Sequence, residues 1–192
     1  NRQFNPTWSA GAAWHLGEEN WMKNIPVVSH ATLRAAYGFT GDVNTSTSHL
    51  LVMQYLQQQY RYFGDETFNL GTIPSAPNPD LGWEKTRDAK VGLDFGLWKD
   101  RLTVNTEYYY RLSTDVVTSS PVQSTTGFTY VYFNAADIMN NGVEVTVNGK
   151  LIQKKDWTVS AAANFAYNYN KVLEYNPVST SGITSKDRYV EG

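Results

Sequence analysis

Asp88, Lys90 and Asp94 recur at even positions of one stretch, Glu107, Tyr109 and Arg111 at odd positions of the next, and Glu144 in a third. Two carboxylates brought together in a cleft can serve as general acid and base. Carboxylates interleaved with cations on neighbouring strands form cross-strand ion pairs instead. The second outcome is the expectation here, with Asp88, Asp94, Glu107 and Glu144 paired to Lys90 and Arg111. The three histidines, His15, His30 and His49, lie far apart with no motif around them, and nothing resembles a nucleophile elbow or a zinc-binding helix. Gly38-Phe39-Thr40-Gly41-Asp42 is not a phosphate loop, because no Gly-Lys-Ser/Thr follows it. With no cysteine there is neither a disulfide nor a thiolate metal site. The chain is therefore expected to be no enzyme and to use no cofactor and no metal.

These residues sit in runs that alternate in character. Ala89, Val91, Leu93, Phe95 and Leu97 interleave with Asp88, Lys90, Gly92, Asp94 and Gly96, and Leu102 to Leu112 repeats the pattern. Successive side chains on a strand point to opposite faces, so each run is a strand with one apolar and one polar face. Six strands are predicted, over residues 7–16, 31–39, 86–97, 102–112, 141–151 and 156–172. Glu18 to Lys23 is expected to form one helical turn, and Lys99-Asp100 a two-residue hairpin. His15 is expected on the polar face near a turn.

The connections are lopsided. Strands one and two, three and four, and five and six are joined by short links. Residues 40–85 and 114–140 are read as long loops, and Gln54 to Phe63 within the first as a short helix or an extension of the sheet. Short turns on one side and long loops on the other are the pattern of a membrane barrel, whose strands need only about 9–11 residues to cross. No stretch reaches 18 consecutive apolar residues, so no transmembrane helix is expected. The aromatics sort by height: Tyr37, Phe39, Tyr108, Tyr110, Tyr167 and Tyr169 at the loop ends of apolar faces, Trp14 and Trp157 at the turn ends. That is the two-girdle arrangement of the lipid interface. Trp98 is off parity. Asp88, Lys90, Asp94, Glu107, Tyr109, Arg111 and Glu144 would then face the lumen, where the small Gly92, Gly96 and Gly142 would suit packing against other protein.

Bulk properties narrow the class further. In 192 residues the net charge of -2 gives no basic surface for nucleic acid. An aromatic content of 14% suits either a membrane girdle or a glycan-binding surface. A soluble, secreted β-sandwich that binds glycan, or an outer-membrane barrel of another kind such as an adhesin, reads with the same alternation. No signal peptide opens the chain, so an export signal was removed or the chain is an internal piece.

Six short segments together resemble one family. Leu33 to Asp42 is similar to an L-R-x-S-Y-G-x-T-G-N stretch, departing at Ala36 and Asp42. Asn78-Pro79-Asp80-Leu81-Gly82-Trp83-Glu84-Lys85-Thr86 resembles an N-P-D-L-x-W-E-x-T box, followed by Gly92 to Phe95. Arg101-Leu102, the run Tyr108 to Tyr110 and Asp115 resemble the next hairpin. Asn140, Gly142 and Glu144 match an N-x-G-x-E strand opening, and Asn168, Asn170, Lys171 and Val172 an N-x-N-K-V strand end. Trp14 to Lys23 resembles an aromatic turn motif. All belong to the SusC/RagA-type TonB-dependent transporters of the Bacteroidota outer membrane.

The resemblance implies an all-β, antiparallel, up-and-down transmembrane barrel of 22 strands. Residues 1–192 would supply about six strands of its barrel domain, without the plug, the TonB-contacting segment or the terminal strand. It implies a multi-pass place in the cell outer membrane and uptake of oligosaccharide or oligopeptide. Implied partners are the rest of the barrel and plug, a SusD-like surface lipoprotein as lid, the TonB energy-coupling system and outer-membrane lipid. Tyr55, Tyr60, Tyr62, Phe63, Phe68 and Trp83 would touch substrate or lid, or pack the loop on itself.

Overall fold

The computed structural model describes residues 6–42, 50–61 and 67–175, with the side chains of 56–70 and of Ser124 left aside. Period-two alternation becomes one antiparallel sheet. Its long strands are β1 (Trp8–Trp14), β2 (Val28–Asp42), β6 (Glu84–Leu97), β7 (Leu102–Pro121), β8 (Tyr130–Gln153) and β9 (Thr158–Tyr175). They lie side by side in chain order, with β1 and β9 at the two edges. Register is continuous: Ala12 pairs with Ala35, Ala35 with Val91, Val91 with Tyr108, Tyr108 with Val143, and Val143 with Tyr167. A slip of one residue would move a whole strand's apolar set to the wrong face, so this chain of pairs fixes one face as apolar from edge to edge.

Among the described residues no second layer covers that face. Val91, Phe165 and Tyr167 are 49%, 63% and 59% exposed, and only Met22, Ala31, Phe133 and Ala135 are buried apolar residues among those described. A β-sandwich buries the inner faces of both its sheets; this sheet leaves its apolar face open among the described residues, which does not favour the sandwich reading.

The tight turns follow their residues. At the β6–β7 hairpin, Lys99 and Asp100 both have φ 58°, the positive-φ pair that a two-residue loop requires, and the Arg101 N–H donates to the Trp98 carbonyl at 3.4 Å. Between β1 and β2 the helical turn starts earlier than expected, as a 3-10 turn at Leu16–Glu18, and a further turn follows in which the Met22 and Lys23 N–H groups both donate to the Glu19 carbonyl.

The expected long loop at 114–140 is mostly strand. β7 continues to Pro121 and β8 begins at Tyr130, leaving a short link that holds a 3-10 turn at Ser124–Thr126. Alternation was lost there because the register shifts on either side of Val116. Asp115 takes φ 58° and Ala135 has no register partner, so parity changes within one continuous ladder. The described part of the first long connection also holds strands. Gln54–Arg61 is a strand, β3, rather than a helix, and it pairs with β4 (Thr67–Thr72) in a separate ribbon. The two-residue β5 (Ser75–Ala76) then crosses to the far side of β8 and pairs with it in parallel, Ser75 to Tyr130 and Ala76 to Val131.

Candidate functional site

Alternation places every expected lumen residue on the polar face, and the register decides which of them meet. Asp94 accepts from Arg34 twice, Nε to Oδ2 at 2.6 Å and Nη2 to Oδ1 at 3.1 Å, and from Asn105 Nδ2 at 2.8 Å. Arg34 was not among the expected partners. Its signal was an even position on β2 opposite Gly92: the guanidinium lies over that glycine, where a Cβ would come within 3.0 Å of Nη2. Arg111 Nη2 and Nε donate to Asp88 Oδ2 at 2.5 and 3.1 Å, while Asp88 Oδ1 is buried with no partner among the described residues. Lys90 Nζ stands 3.6 Å from Glu107 Oε1, and Arg34 Nη1 4.0 Å from Glu107 Oε2.

One expectation is corrected here. Glu144 makes no ion pair among the described residues, because its register partner on β7 is Glu107, and Lys90 and Arg34 both turn to Glu107 instead. Three glycines of the polar face take up this chain's own side chains, Gly92 that of Arg34. Gly96 lies under the His30 ring and Asp100 carboxylate, and Gly142 under the Tyr109 ring. His15 Nδ1 lies 3.2 Å from Thr32 Oγ1, near the turn as expected.

Part of this face forms a polar recess of about 580 Å³ bordered by Lys90, Glu107, Tyr109, Arg111, Glu144 and Asn168. Of its charges, Lys90 pairs with Glu107 and Arg111 with Asp88, while Glu144 makes no ion pair among the described residues. Arg34 and Asp94 couple through a fork-shaped pair, with side chains 47% and 18% exposed. A double-mutant cycle of Arg34→Ala and Asp94→Ala, read by urea unfolding, is expected to give a coupling of about 0.5–1 kcal/mol. A coupling indistinguishable from zero would show the pair to be screened by solvent.

On the opposite face the aromatics gather in three adjacent register rows. Trp8 pairs with Phe39, Tyr37 and Tyr110 both pair with Ala89, and Tyr108 and Tyr167 both pair with Val143. Tyr169 lies in the row of Tyr110 through Asn141. The Trp8 and Tyr37 rings stand 5.6 Å apart. Arg87 and Lys171 lie on the same face in the outermost of these rows, that of Trp8, Phe39 and Leu112. Between Ala89 and Leu97 the face of β6 is apolar, a length that fits the about 9–11 residues of a membrane-crossing strand. At the turn end Trp14 is half exposed with its indole N–H donating to Glu19 Oε1 at 2.9 Å, and Trp157 is 73% exposed.

The loop-side rim holds a feature that alternation did not reveal. Residues 74–83 form a strap across the sheet. Asn78 opens a tight turn, with the Leu81 N–H donating to its carbonyl at 3.2 Å and the Asp80 N–H to its Oδ1 at 3.0 Å. Asn78 Nδ2 donates to the Tyr132 carbonyl at 2.8 Å. Asn134 Oδ1 accepts from the Gly82 N–H at 2.7 Å, and its Nδ2 donates to the carbonyls of Gly82 at 3.0 Å and Asp115 at 2.5 Å. Lys85 Nζ pairs with Asp115 Oδ2 at 2.7 Å, and the Val117 N–H donates to Glu84 Oε1 at 2.8 Å. Beside the strap the Tyr130 and Tyr132 rings meet edge to face at 5.2 Å, and the Tyr132 hydroxyl is held above its ordinary value, first by its hydrogen bond with Tyr130 and then by burial.

The expected contact aromatics divide. Tyr55 is 73% exposed, Trp83 is half-buried at the end of the strap, and Tyr60 and Phe68 are register partners in the β3–β4 ribbon. Tyr62 and Phe63 lie outside the described residues.

Comparison with known proteins follows the same lines. Residues 1–191 match the family model of TonB dependent receptor-like β-barrels. The TonB-dependent receptor SusC of Bacteroides thetaiotaomicron is 32% identical over 187 residues, 95% of this chain and 18% of SusC. The TonB-dependent receptor P39 of Formosa agariphila is 32% identical over 161 residues, 84% of this chain and 15% of P39. Among solved structures, the RagAB peptide importer in its closed-closed state superposes with a TM-score of 0.73 at 27% identity, over 89% of this chain and 18% of that one. The chain thus spans less than a fifth of the length of these relatives.

Proposed function

We infer, since this chain belongs to the TonB-dependent receptor β-barrel family and is of its SusC/RagA type, that its strands are an arc in the wall of an outer-membrane nutrient importer. The family is one of outer-membrane barrels. The observation that carries the reading is the single sheet itself, six long strands in register with one apolar face uncovered from β1 to β9. Among the described residues its two edges present unpaired backbone groups, each costing several kcal/mol in lipid, and in this reading further strands of the parent close the barrel.

In this reading the apolar face meets lipid. Trp14 and Trp157 mark the periplasmic interface, and Tyr37, Phe39, Tyr108, Tyr110, Tyr167 and Tyr169 the outer one. The polar face lines the lumen, where the unpartnered Asp88 Oδ1 fits a donor supplied from the barrel interior. A SusD-like lipoprotein covers the loop end, and TonB supplies energy through segments outside residues 1–192. Substrates are oligosaccharides or oligopeptides, and Tyr55, with the most exposed ring among the described loop aromatics, is the best placed to stack on them.

The full-length parent, expressed in its native outer membrane, tests this. It is expected to fractionate with outer membranes, to show heat-modifiable migration, and to take up labelled oligosaccharide or peptide only while TonB is present. A folded monomer in the aqueous fraction without detergent, or uptake unchanged by loss of TonB, would overturn the reading.

A further inference from the structure

We propose that the turn-side end of the apolar face binds an anionic phospholipid of the periplasm-facing leaflet, its phosphate between Arg101 and Lys150 and an acyl chain in the hollow beside them. The proposal rests on the outer-membrane reading above.

The hollow measures about 460 Å³ and is lined by Trp98, Arg101, Leu102, Gly149, Lys150 and Leu151. Leu102 and Gly149 are register partners on the apolar face, and Gly149 forms an open floor: a Cβ there would meet only Leu102 Cδ1 at 3.8 Å and Leu151 Cδ2 at 3.9 Å. The register steps between Lys150 and Ile152, which leaves Leu151 as an extra residue, 63% exposed at the rim.

Trp98 accounts for its lapse of parity here. Its φ of 54° is a conformation that a bulky residue adopts only when held there. The holding contacts are the Trp98 N–H to the Val27 carbonyl at 2.8 Å and the Asp100 N–H to Ser29 Oγ at 3.0 Å. The indole, 54% exposed, thereby becomes a wall of the hollow.

The charge pattern selects the occupant. Arg101 and Lys150 have no carboxylate within ion-pair distance among the described residues, and the nearby Asp100 is engaged by His30 Nδ1 at 2.9 Å. Both cations stand at the end of the sheet, where they also border the polar face. Lys99, Lys154 and Lys155 add exposed positive charge at the same end, against Asp100 and Asp156. A guanidinium and an ammonium suit a phosphate diester, an indole suits the headgroup level, and clustered cations at a bilayer surface favour anionic lipid. Free phosphate would leave the apolar hollow unused, and a neutral headgroup would leave the cations uncompensated.

Native mass spectrometry of the full-length parent, released from vesicles of phosphatidylglycerol and phosphatidylcholine in equal amounts, tests the site. Phosphatidylglycerol is expected to be retained over phosphatidylcholine. Arg101→Gln with Lys150→Gln should weaken that retention about tenfold. Gly149→Leu, which fills the hollow but keeps both cations, should also weaken it, whereas Lys99→Gln should not. If the double variant does not assemble, Arg101→Gln alone and Gly149→Leu carry the comparison. Equal retention of the two lipids, an unchanged double variant, or displacement of the lipid by millimolar inorganic phosphate would overturn the proposal. A wild-type parent that never inserts in vesicles would sink the outer-membrane reading as well, and is recognised separately by its unshifted migration on heating.

Discussion

Gly142→Val is expected to cut the amount of assembled barrel several-fold. Gly142 is buried between Tyr109 on β7 and Asn168 on β9. A Cβ at this position would lie 2.6 Å from Tyr109 Oη and 2.8 Å from its Cζ, and would overlap the Tyr167 carbonyl oxygen. The ring can swing aside, losing the cover it gives the glycine backbone. The carbonyl belongs to β9, and moving it strains the ladder between β8 and β9. Overpacking of this kind costs about 1–3 kcal/mol for alanine, and the two further methyls of valine add to it. The measurement is the heat-modifiable fraction of the full-length parent in outer membranes, with urea unfolding for the alanine variant. Combining Gly142→Ala with Tyr109→Ala should recover only part of the loss, because the carbonyl remains. Wild-type levels of assembled Gly142→Val would show that the strands separate more easily than this packing implies.

Asn134→Ala is expected to release the strap while leaving the membrane-crossing strands intact. One side-chain amide satisfies three backbone groups, the Gly82 N–H and the carbonyls of Gly82 and Asp115, in half-buried surroundings. Removing it leaves those groups to find water, at about 1–3 kcal/mol. Hydrogen exchange across residues 74–84 of the full-length parent should then speed up by roughly tenfold or more, while exchange between 89 and 110 stays as it was. Asn134→Asp should fall between, since it keeps the acceptor for the Gly82 N–H and loses both donated bonds. Unchanged exchange in the strap would mean that β5 pairing and the Asn78 turn hold it without Asn134. Because Lys85 and Glu84 reach the same bulge from the start of β6, the effect should stop at that strand.

Much of this architecture was legible residue by residue. The apolar and polar sets of β6, β7 and β9 emerge on the faces that alternation assigns, and Lys99-Asp100 forms the positive-φ pair of its hairpin. The ion pairs were half legible. Asp88 with Arg111 and Lys90 with Glu107 lie across one pair of adjacent strands joined by a short turn, so their register follows from the turn. Arg34 with Asp94 joins strands whose sequence separation spans the whole first long connection, and no spacing announces it. The extension of β7 and β8 was hidden for another reason. A left-handed Asp115 and an unpaired Ala135 change parity in mid-ladder, and a pattern of period two read through such a break looks like loop.

The sequence by itself determined which side chains share a face and where the chain reverses, because a strand's two-residue period and the backbone preferences of a turn are local properties. Tertiary structure alone decided which distant segments became neighbours. It laid Arg34 over Gly92 beside Asp94, set Glu107 opposite Glu144, and carried β5 past β6 and β7 to the far edge of β8. Those contacts are closed by pairing between strands far apart in the chain, and the hydrogen bonds that fix them belong to backbone groups every residue carries, so no side chain along the way records them.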